Sequence, residues 1–358
     1  VYSTRNDFEW NFTPSMALKA GAEAEHRYIT YIGTIPQEDY DIRPDGSKKV
    51  LDVSFEGNRI GAYTELVAAS LPRLESLSLS GGVRTDVIPG LNLQWVDPRA
   101  AAAYKLSAVS SLRLGWGIYH QLPDPRLFSP VDGNPDLKPM RADHVILSYD
   151  YNPSTENSFR VELYRKVYSS LPKENTATYY DNTGSGYANG IDVIYKAKLG
   201  ALEGWISYGY INTRRDWMDF TGLSSSSYDI THNFTLVAKY PVTQNLQAGI
   251  NAKYATGRPF TPITSSVFLN NRNVYEPVYG GTNTSRYPDY TRLDLRLTWF
   301  DNIYSQPFLV YIEALNILNI NNIFGYHYNE DYTAKEDIKS YFGRRTVVVG
   351  CMISLGGM

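Results

Sequence analysis

Apolar and polar residues alternate strictly in several segments of the chain, which is the pattern of a β-strand with two different faces. The clearest segment is 291–300, in which the apolar side chains are fully separated from the charged ones: Leu293, Leu295, Leu297 and Trp299 against Arg292, Asp294 and Arg296. A helix would scatter these charges around its circumference. The same alternation recurs at 7–12, 159–164, 246–254 and 347–355. The pattern predicts an all-β chain.

The connections between these segments alternate between short and long. Short turns are predicted at 13–15, 72–74, 152–155, 199–201, 241–243 and 301–302, and long polar or aromatic stretches at 33–55, 121–141, 171–187, 258–288 and 319–342. Outer-membrane barrels have short periplasmic turns and long extracellular loops. A soluble β-sandwich also alternates in hydropathy, but it has no reason to sort its loops in this way.

The strand pattern also predicts that the barrel is incomplete. We count about 15 strands, of which the first runs into a short turn and the last, 344–355, follows a long loop, whereas bacterial single-chain barrels have even strand numbers. Further strands and an export signal are therefore expected upstream of Val1. Aromatic residues near strand ends are expected to form interfacial girdles: Tyr104, Tyr119, Tyr149, Tyr151, Trp299 and Tyr341.

Composition is consistent with one large barrel and excludes other classes. The 358 residues include 30 Tyr and are 14% aromatic, and 34 Lys+Arg against 37 Asp+Glu leave a net charge of -3. No long run of either sign occurs, so nothing resembles a nucleic-acid footprint. The single cysteine, Cys351, cannot form an intrachain disulfide. Mean hydropathy is -0.34, and no apolar run is long enough for a transmembrane helix.

Seven short motifs then resemble those of one family. The run N-P-D-L-K-P at 134–139 closely resembles a segment that precedes a barrel strand in TonB-dependent receptors, here 143–151, although Met140 stands where the family usually has Glu. The other motifs follow in family order: G-I-D at 190–192, Y-D-I-T-H at 228–232, T-G-R-P-F-T-P at 256–262, R-L-D-L-R at 292–296, E-A-L-N-I-L-N at 313–319 and F-G-R-R at 342–345. Residues 1–133 match by pattern only.

The resemblance implies an antiparallel transmembrane β-barrel in the outer membrane, of which residues 1–358 are the C-terminal portion, about 15 of 22 strands. The plug and the first strands would lie outside this chain. The implied function is TonB-dependent, energy-coupled uptake of a scarce solute, such as a siderophore–iron complex or another large nutrient. The implied partners are the TonB complex, reached through the plug, the outer-membrane lipid and the nutrient ligand. No cofactor and no nucleic acid are implied. The alternatives are a passive porin-like outer-membrane channel and a soluble sugar-binding β-protein.

Ligand contacts are expected on the long loops, because binding residues concentrate on loops displayed by a rigid scaffold. The candidates combine aromatic and amide side chains: Tyr179, Tyr180, Asn182, Tyr275 and Tyr279. No catalytic residue and no metal site is expected, since no G-x-S-x-G signature occurs and His327 with Glu330 and Asp331 is more simply an exposed polar loop. Charges predicted on the inner face should hydrate the lumen and pair with the plug: Arg160, Glu162, Asp192, Lys196, Lys253, Arg292, Asp294 and Arg296.

Overall fold

A computed structural model describes residues 1–38, 40–41, 43, 46–71, 74–303, 306–339 and 343–353. These residues form strands and two short 3-10 helices, Pro89–Leu91 and Pro125–Phe128. The strands in chain order are β1 (Tyr2–Thr13), β2 (Met16–Pro36), β3 (Lys48–Ala68), β4 (Leu77–Ile88), β5 (Leu93–Lys105), β6 (Ser110–Gln121), β7 (Met140–Tyr151), β8 (Ser158–Asn175), β9 (Tyr179–Leu199), β10 (Leu202–Asp216), β11 (Ser224–Ser225), β12 (His232–Pro241), β13 (Leu246–Ala255), β14 (Pro259–Phe260), β15 (Ile263–Leu269), β16 (Val274–Tyr279), β17 (Ser285–Arg286), β18 (Tyr290–Ile303), β19 (Gln306–Leu315), β20 (Ile323–Tyr328), β21 (Lys335–Lys339) and β22 (Thr346–Ile353).

One 16-stranded sheet makes up most of the fold. Its strands follow the order of the chain, β1 to β10, then β12, β13, β18, β19 and β22, with the short β11 attached to β10. Neighbouring strands pair antiparallel throughout, as in β2–β3 and β13–β18. The predicted all-β class and strand count are therefore confirmed. The remaining short strands lie in loops and pair among themselves as β14–β17, β15–β16 and β20–β21.

The connections are sorted between the two rims of the sheet as predicted. One rim carries the connections β1–β2, β3–β4, β5–β6, β7–β8, β9–β10, β12–β13 and β18–β19, and the other carries β2–β3, β4–β5, β6–β7, β8–β9, β10–β12, β13–β18 and β19–β22. We call the second the loop rim. The prediction that 171–187 is a loop was wrong, because β8 and β9 remain paired as far as Asn175 and Tyr179. The stretch 33–55 is likewise strand at both ends. The predicted turn residues Pro72 and Arg73 lie outside the described residues.

The two faces of the sheet differ as the alternation predicts. On β18, Leu295 and Leu297 are 39% and 47% exposed, whereas Asp294 on the opposite face is 4% exposed. Exposed apolar side chains continue this outward belt on other strands of the sheet, including Leu114, Leu147, Leu163, Ile312 and Val349. The described part of the chain contains no helix that could cross a membrane.

On the inner face, glycines make room for long side chains from the next strand. Gly190 is paired with Tyr164 and Gly350 with Tyr311, and a Cβ added at either glycine would collide with the tyrosine ring. Gly21 stands in the same relation to Tyr63. The tyrosine rings therefore lie flat along the wall instead of projecting from it.

The predicted aromatic girdle needs one correction. Tyr104, Tyr151 and Trp299 are exposed on the outward face, but Tyr119 is not part of this surface. Its ring lies 4.5 Å from the Arg99 guanidinium and 4.6 Å from the ring of His144, on the inner face. Alternation along β6 also places Tyr119 on the inner face, because Leu112, Leu114 and Trp116 are exposed on the outward one. The girdle prediction used only the position of Tyr119 near the end of the strand. Tyr341 lies outside the described residues.

Replacing Leu295 with Arg should hinder assembly of the barrel, since a charge on the lipid face near the bilayer midplane costs roughly 2–4 kcal/mol. Arg296→Leu should be milder, because Arg296 points inward and lies 3.8 Å from the ring of Tyr311. Heat-modifiability on gels, measured in outer membranes of cells that express the complete gene, reports assembly. Equal effects of the two substitutions would contradict the register of β18.

Candidate functional site: the loop rim

The loops of this rim are held to one another by hydrogen bonds and ion pairs, and most of the family-like motifs take part. The first set joins the loop 122–139 to the β8–β9 hairpin. Leu137 is fully buried against Leu127 and Phe128, and Tyr180 and Met218 pack on this small core. Asn134 donates its side-chain amide to the carbonyl of Tyr180 at 2.7 Å. The N-P-D-L-K-P motif therefore anchors a loop.

Asn182, predicted as a ligand contact, ties the same two segments together. Its side-chain oxygen accepts from the Lys138 N–H at 2.8 Å, and its amide group lies 3.1 Å from the carbonyls of Lys138 and Ser170. These hydrogen bonds use most of the donors and acceptors of the side-chain amide. Tyr179, three residues earlier, is 55% exposed at the hairpin turn and has a φ of 60°.

The tip of the β2–β3 hairpin joins this first set from the other side. The Tyr31 hydroxyl donates to Asp124 at 3.3 Å, and the Arg126 guanidinium lies 5.2 Å from the Tyr31 ring. Lys49 forms an ion pair with Asp132. The hydrogen bond from Lys49, followed by that from Ser129, holds the pKa of Asp132 below its usual range. This ion pair fixes the loop at a second point.

A second set of contacts closes the bases of the loops 217–231 and 256–289. His232 and Thr256 exchange two hydrogen bonds of 2.9 Å. Arg286 donates to the carbonyls of Asp229 at 2.6 Å and Gly257 at 2.9 Å. A Cβ at Gly257 would collide with the carbonyl oxygen of Tyr287, so only glycine fits there. The motifs at 228–232 and 256–262 therefore form one joint.

Asp289 completes that joint. It accepts from the Tyr254 hydroxyl at 2.7 Å and from the Gly257 N–H at 2.9 Å. These hydrogen bonds, the one from Tyr254 first, lower the pKa of Asp289. The carboxylate is the form that both donors stabilise.

The last motifs meet at Asn316, which is 1% exposed. Its backbone N–H donates to Asp294 at 2.8 Å, and its side-chain amide donates to the carbonyls of Ile320 at 2.9 Å and Gly343 at 2.8 Å. Arg345 closes the same loop through Asn319 and Ile317. The motifs at 292–296, 313–319 and 342–345 are thus parts of one anchor; Phe342 lies outside the described residues.

Above these anchors, loops from distant strands touch each other. Arg43, in the loop 37–47, donates to the carbonyls of Arg272 at 2.9 Å and Asn273 at 3.0 Å. Its hydrogen bonds to Asp41, the nearer at 2.7 Å, lower the pKa of that carboxyl. Ser266 in turn donates to the carbonyl of Asp331 at 2.6 Å. Loops that begin on β2, β13 and β19 are therefore linked.

The predicted ligand residues fall into these two regions. Tyr179, Tyr180 and Asn182 lie by the loop 122–139. Tyr275 and Tyr279 belong to β16, in the loop 256–289, outside the joint formed by the motifs at 228–232 and 256–262. Tyr275 packs on Phe268 with ring centres 4.9 Å apart, and Tyr279 is 57% exposed. Ligand binding by these five residues stays a prediction.

An aromatic cluster that the sequence analysis did not single out lies between the loops 256–289 and 316–345. The rings of Phe260 and Tyr287 are stacked with centres 4.4 Å apart, and Tyr326 lies 5.5 and 5.2 Å from them. Lys335 stands 3.8 Å over the Tyr326 ring, and Arg258 lies 5.1 Å from that of Tyr287. The only signal in the sequence was the high tyrosine content of these loops.

The inward-facing charges pair along the wall. Arg160 binds Asp150 at 2.6 Å, and Arg292 binds Asp294 at 2.7 Å. A larger network, not recognised in the sequence, connects Glu23 to Arg59 at 2.9 Å and to Arg84 at 3.1 Å. No group of three or more potential metal ligands occurs among the described residues. His120 is bonded to Asp97 at 2.6 Å.

An outward apolar belt, a charged inner face, short turns on one rim and anchored loops on the other define the wall of an outer-membrane β-barrel. The family model described as "TonB dependent receptor-like, beta-barrel" matches residues 2–323, and the chain belongs to this family of outer-membrane receptors. No curated protein matches the sequence.

Solved structures confirm the fold. The ferric-catecholate import receptor Fiu of E. coli K12 has a TM-score of 0.69 at 16% identity, with 98% of this chain and 54% of that chain covered. The ferripyoverdine receptor of Pseudomonas aeruginosa has a TM-score of 0.63 at 14% identity, with 98% and 48% covered. The FrpB iron transporter of Neisseria meningitidis has a TM-score of 0.63 at 12% identity, with 96% and 53% covered. The chain spans about half the length of these proteins.

Replacing Asn316 with Ala should loosen the loop 316–345, because a buried backbone group left without its partner costs roughly 1–3 kcal/mol. Hydrogen–deuterium exchange should become faster around Ile320 and Gly343, whose backbone groups Asn316 binds. The matched control is Asn271→Ala, at an exposed position of another loop. Unchanged exchange in Asn316→Ala would contradict its role as an anchor.

Proposed function

We propose that this chain is the greater part of the barrel wall of a TonB-dependent transporter that takes up a scarce solute, such as a siderophore–iron complex. The observation that supports this most strongly is the loop rim, where six of the seven family-like motifs fix long aromatic loops above a charged inner face. A passive channel needs a pore of suitable charge, but it has no need for such loops.

We propose further that residues 1–358 form a partial barrel domain, with the plug and the first strands contributed by other parts of the protein. Two observations support this. The chain spans about half the length of the structures it matches, and β1 and β22 end the described sheet with one paired neighbour each. TonB would act through the plug, whose movement opens the lumen.

The solute would be held by exposed aromatic side chains of the loop rim and by the aromatic cluster beside them. Tyr179 and Tyr279 are exposed, and the aromatic cluster around Tyr326 carries two cations, Lys335 and Arg258. Aromatic faces with neighbouring cations suit a ligand that combines rings with negative charge. Ferric siderophores have this chemistry, and the receptors of E. coli and P. aeruginosa named above bind ferric catecholates and ferripyoverdine.

The function is tested by uptake of radioactive iron supplied as ferric enterobactin and as ferripyoverdine. A strain whose only such receptor is the complete protein should accumulate iron from at least one complex, and deletion of tonB should abolish the uptake. Uptake that survives deletion of tonB would favour the porin-like channel. A strain that takes up neither complex at any level would contradict the siderophore proposal.

The site is tested with the double substitution Tyr179→Ala and Tyr279→Ala. Loss of these two exposed aromatic contacts should weaken binding of the transported complex by at least about ten-fold, because a few aromatic residues usually contribute most of the binding energy. The barrel should still assemble, with normal heat-modifiability. Tyr104→Ala, an exposed position near the opposite rim, is the matched control. Affinity equal to that of the control would exclude both residues from the binding surface.

A further inference from the structure

One sector of the outward face carries a cluster of arginines at the upper edge of the apolar belt. The edge is defined by the register of four strands. Leu147 on β7 is paired with Leu163 on β8, Leu163 with Ile191 on β9, and Ile191 with Tyr210 on β10. All four side chains belong to the outward face, because directly paired residues point to the same side of a sheet.

The next outward level, toward the loop rim, changes from apolar to polar. Val145 is paired with Arg165, Arg165 with Asn189, and Asn189 with Asn212. One level higher, exposed Val167 is paired with Tyr187, and Tyr187 with Arg214. Arg141 follows on β7, one level above Asp143. Three arginines therefore lie within a few strands of each other, just above the last full row of apolar side chains.

Two of these arginines have no partner for their charge. Arg165 and Arg214 are exposed, and the described residues provide no hydrogen bond, ion pair or ring contact for either guanidinium. Arg141 is different, since it holds Asp143 at 2.8 Å. Asp216, two residues beyond Arg214 on the same face, is likewise held at 2.8 Å by Lys173. The cluster therefore has a net positive charge.

The sector of β2 and β3 carries no such cluster among the described residues. At the corresponding place on β2 and β3 the outward side chains include His26, Asn58 and Glu56, which contact one another. From the strand spacing and the rise per residue, the Cα atoms of Arg165 and Arg214 lie roughly 12 Å apart. Long arginine side chains at this separation can reach a single phosphorylated headgroup.

We propose that Arg165, Arg214 and Arg141 bind the phosphate groups of an anionic lipid in the leaflet next to the loop rim. The chemistry favours phosphate, because guanidinium forms paired, charge-assisted hydrogen bonds with its oxygens. The position favours a lipid over a free ion, because acyl chains of the same molecule would lie on Leu163 and Ile191 directly below. This site is separate from the solute-binding loops and does not depend on the proposed transport function.

The test uses the complete protein, purified from outer membranes into detergent and titrated with diphosphoryl lipid A while native mass spectrometry counts the bound lipid. The double substitution Arg165→Gln and Arg214→Gln should weaken binding about 25-fold, since each basic residue near an anionic lipid surface is worth roughly a factor of five. Monophosphoryl lipid A should bind the parent protein more weakly than the diphosphoryl form.

Two further variants separate charge from structure. Arg165→Lys with Arg214→Lys keeps the charge and should stay within about three-fold of the parent. Arg215→Gln removes a guanidinium one residue along, on the other face, where Arg215 lies 4.9 Å from the ring of Tyr168, and it should leave lipid binding unchanged.

Three results would overturn the proposal. The double glutamine variant could bind lipid A as well as the parent does, or Arg215→Gln could lose as much affinity as the double variant. Inorganic phosphate could also displace lipid A completely at millimolar concentration, which would make the cluster a site for the free anion.

Discussion

The wall of this protein depends on the pairing of backbone N–H and C=O groups between neighbouring strands. Inside a bilayer no water can replace a missing partner, and each unpaired group costs several kcal/mol. Antiparallel pairing in chain order meets this requirement from β1 to β22. It also forces alternate side chains to opposite faces, so the same segment must be apolar outward and polar inward, as Leu295 and Asp294 illustrate.

Where the strands end, side chains must provide the hydrogen-bond partners of the backbone. Backbone groups at the bases of the loops are partly buried but have no neighbouring strand, and asparagines provide the missing partners. Asn322 both accepts from and donates to the backbone of Thr291, as Asn182 does for Lys138 and Asn316 for Ile320. A side-chain amide suits this role because it carries a donor and an acceptor in the arrangement of a peptide group. Asn316 belongs to the motif at 313–319, whereas Asn182 and Asn322 replace strand pairing in the same way outside the motifs.

This explains which features could be predicted from the sequence. The strand at 291–300 was predictable because its charges are separated completely, and the sorting of turns and loops followed from turn residues. The upper parts of β8 and β9 were not, because Asn, Thr and Gly between Lys173 and Tyr187 have the composition of a loop, while the pairing of β8 with β9 as far as Asn175 and Tyr179 is a property of the folded hairpin. Asn182 has the same hydrogen-bonding groups whether it meets a ligand or the Lys138 backbone, so its anchoring role became visible only from the contacts. The family was identifiable because seven motifs occur in order.

The flat tyrosines of the inner face have a consequence for how such a wall can change. Tyr164 lies over Gly190 and Tyr311 over Gly350, so the width of the passage at these points is set by pairs of positions on adjacent strands. A larger residue in place of the glycine would tip the ring into the passage, and loss of the ring would leave bare backbone. Neither position of a pair can vary freely by itself. The inner width of the barrel therefore depends on pairs of residues that are far apart in the chain and adjacent in the sheet.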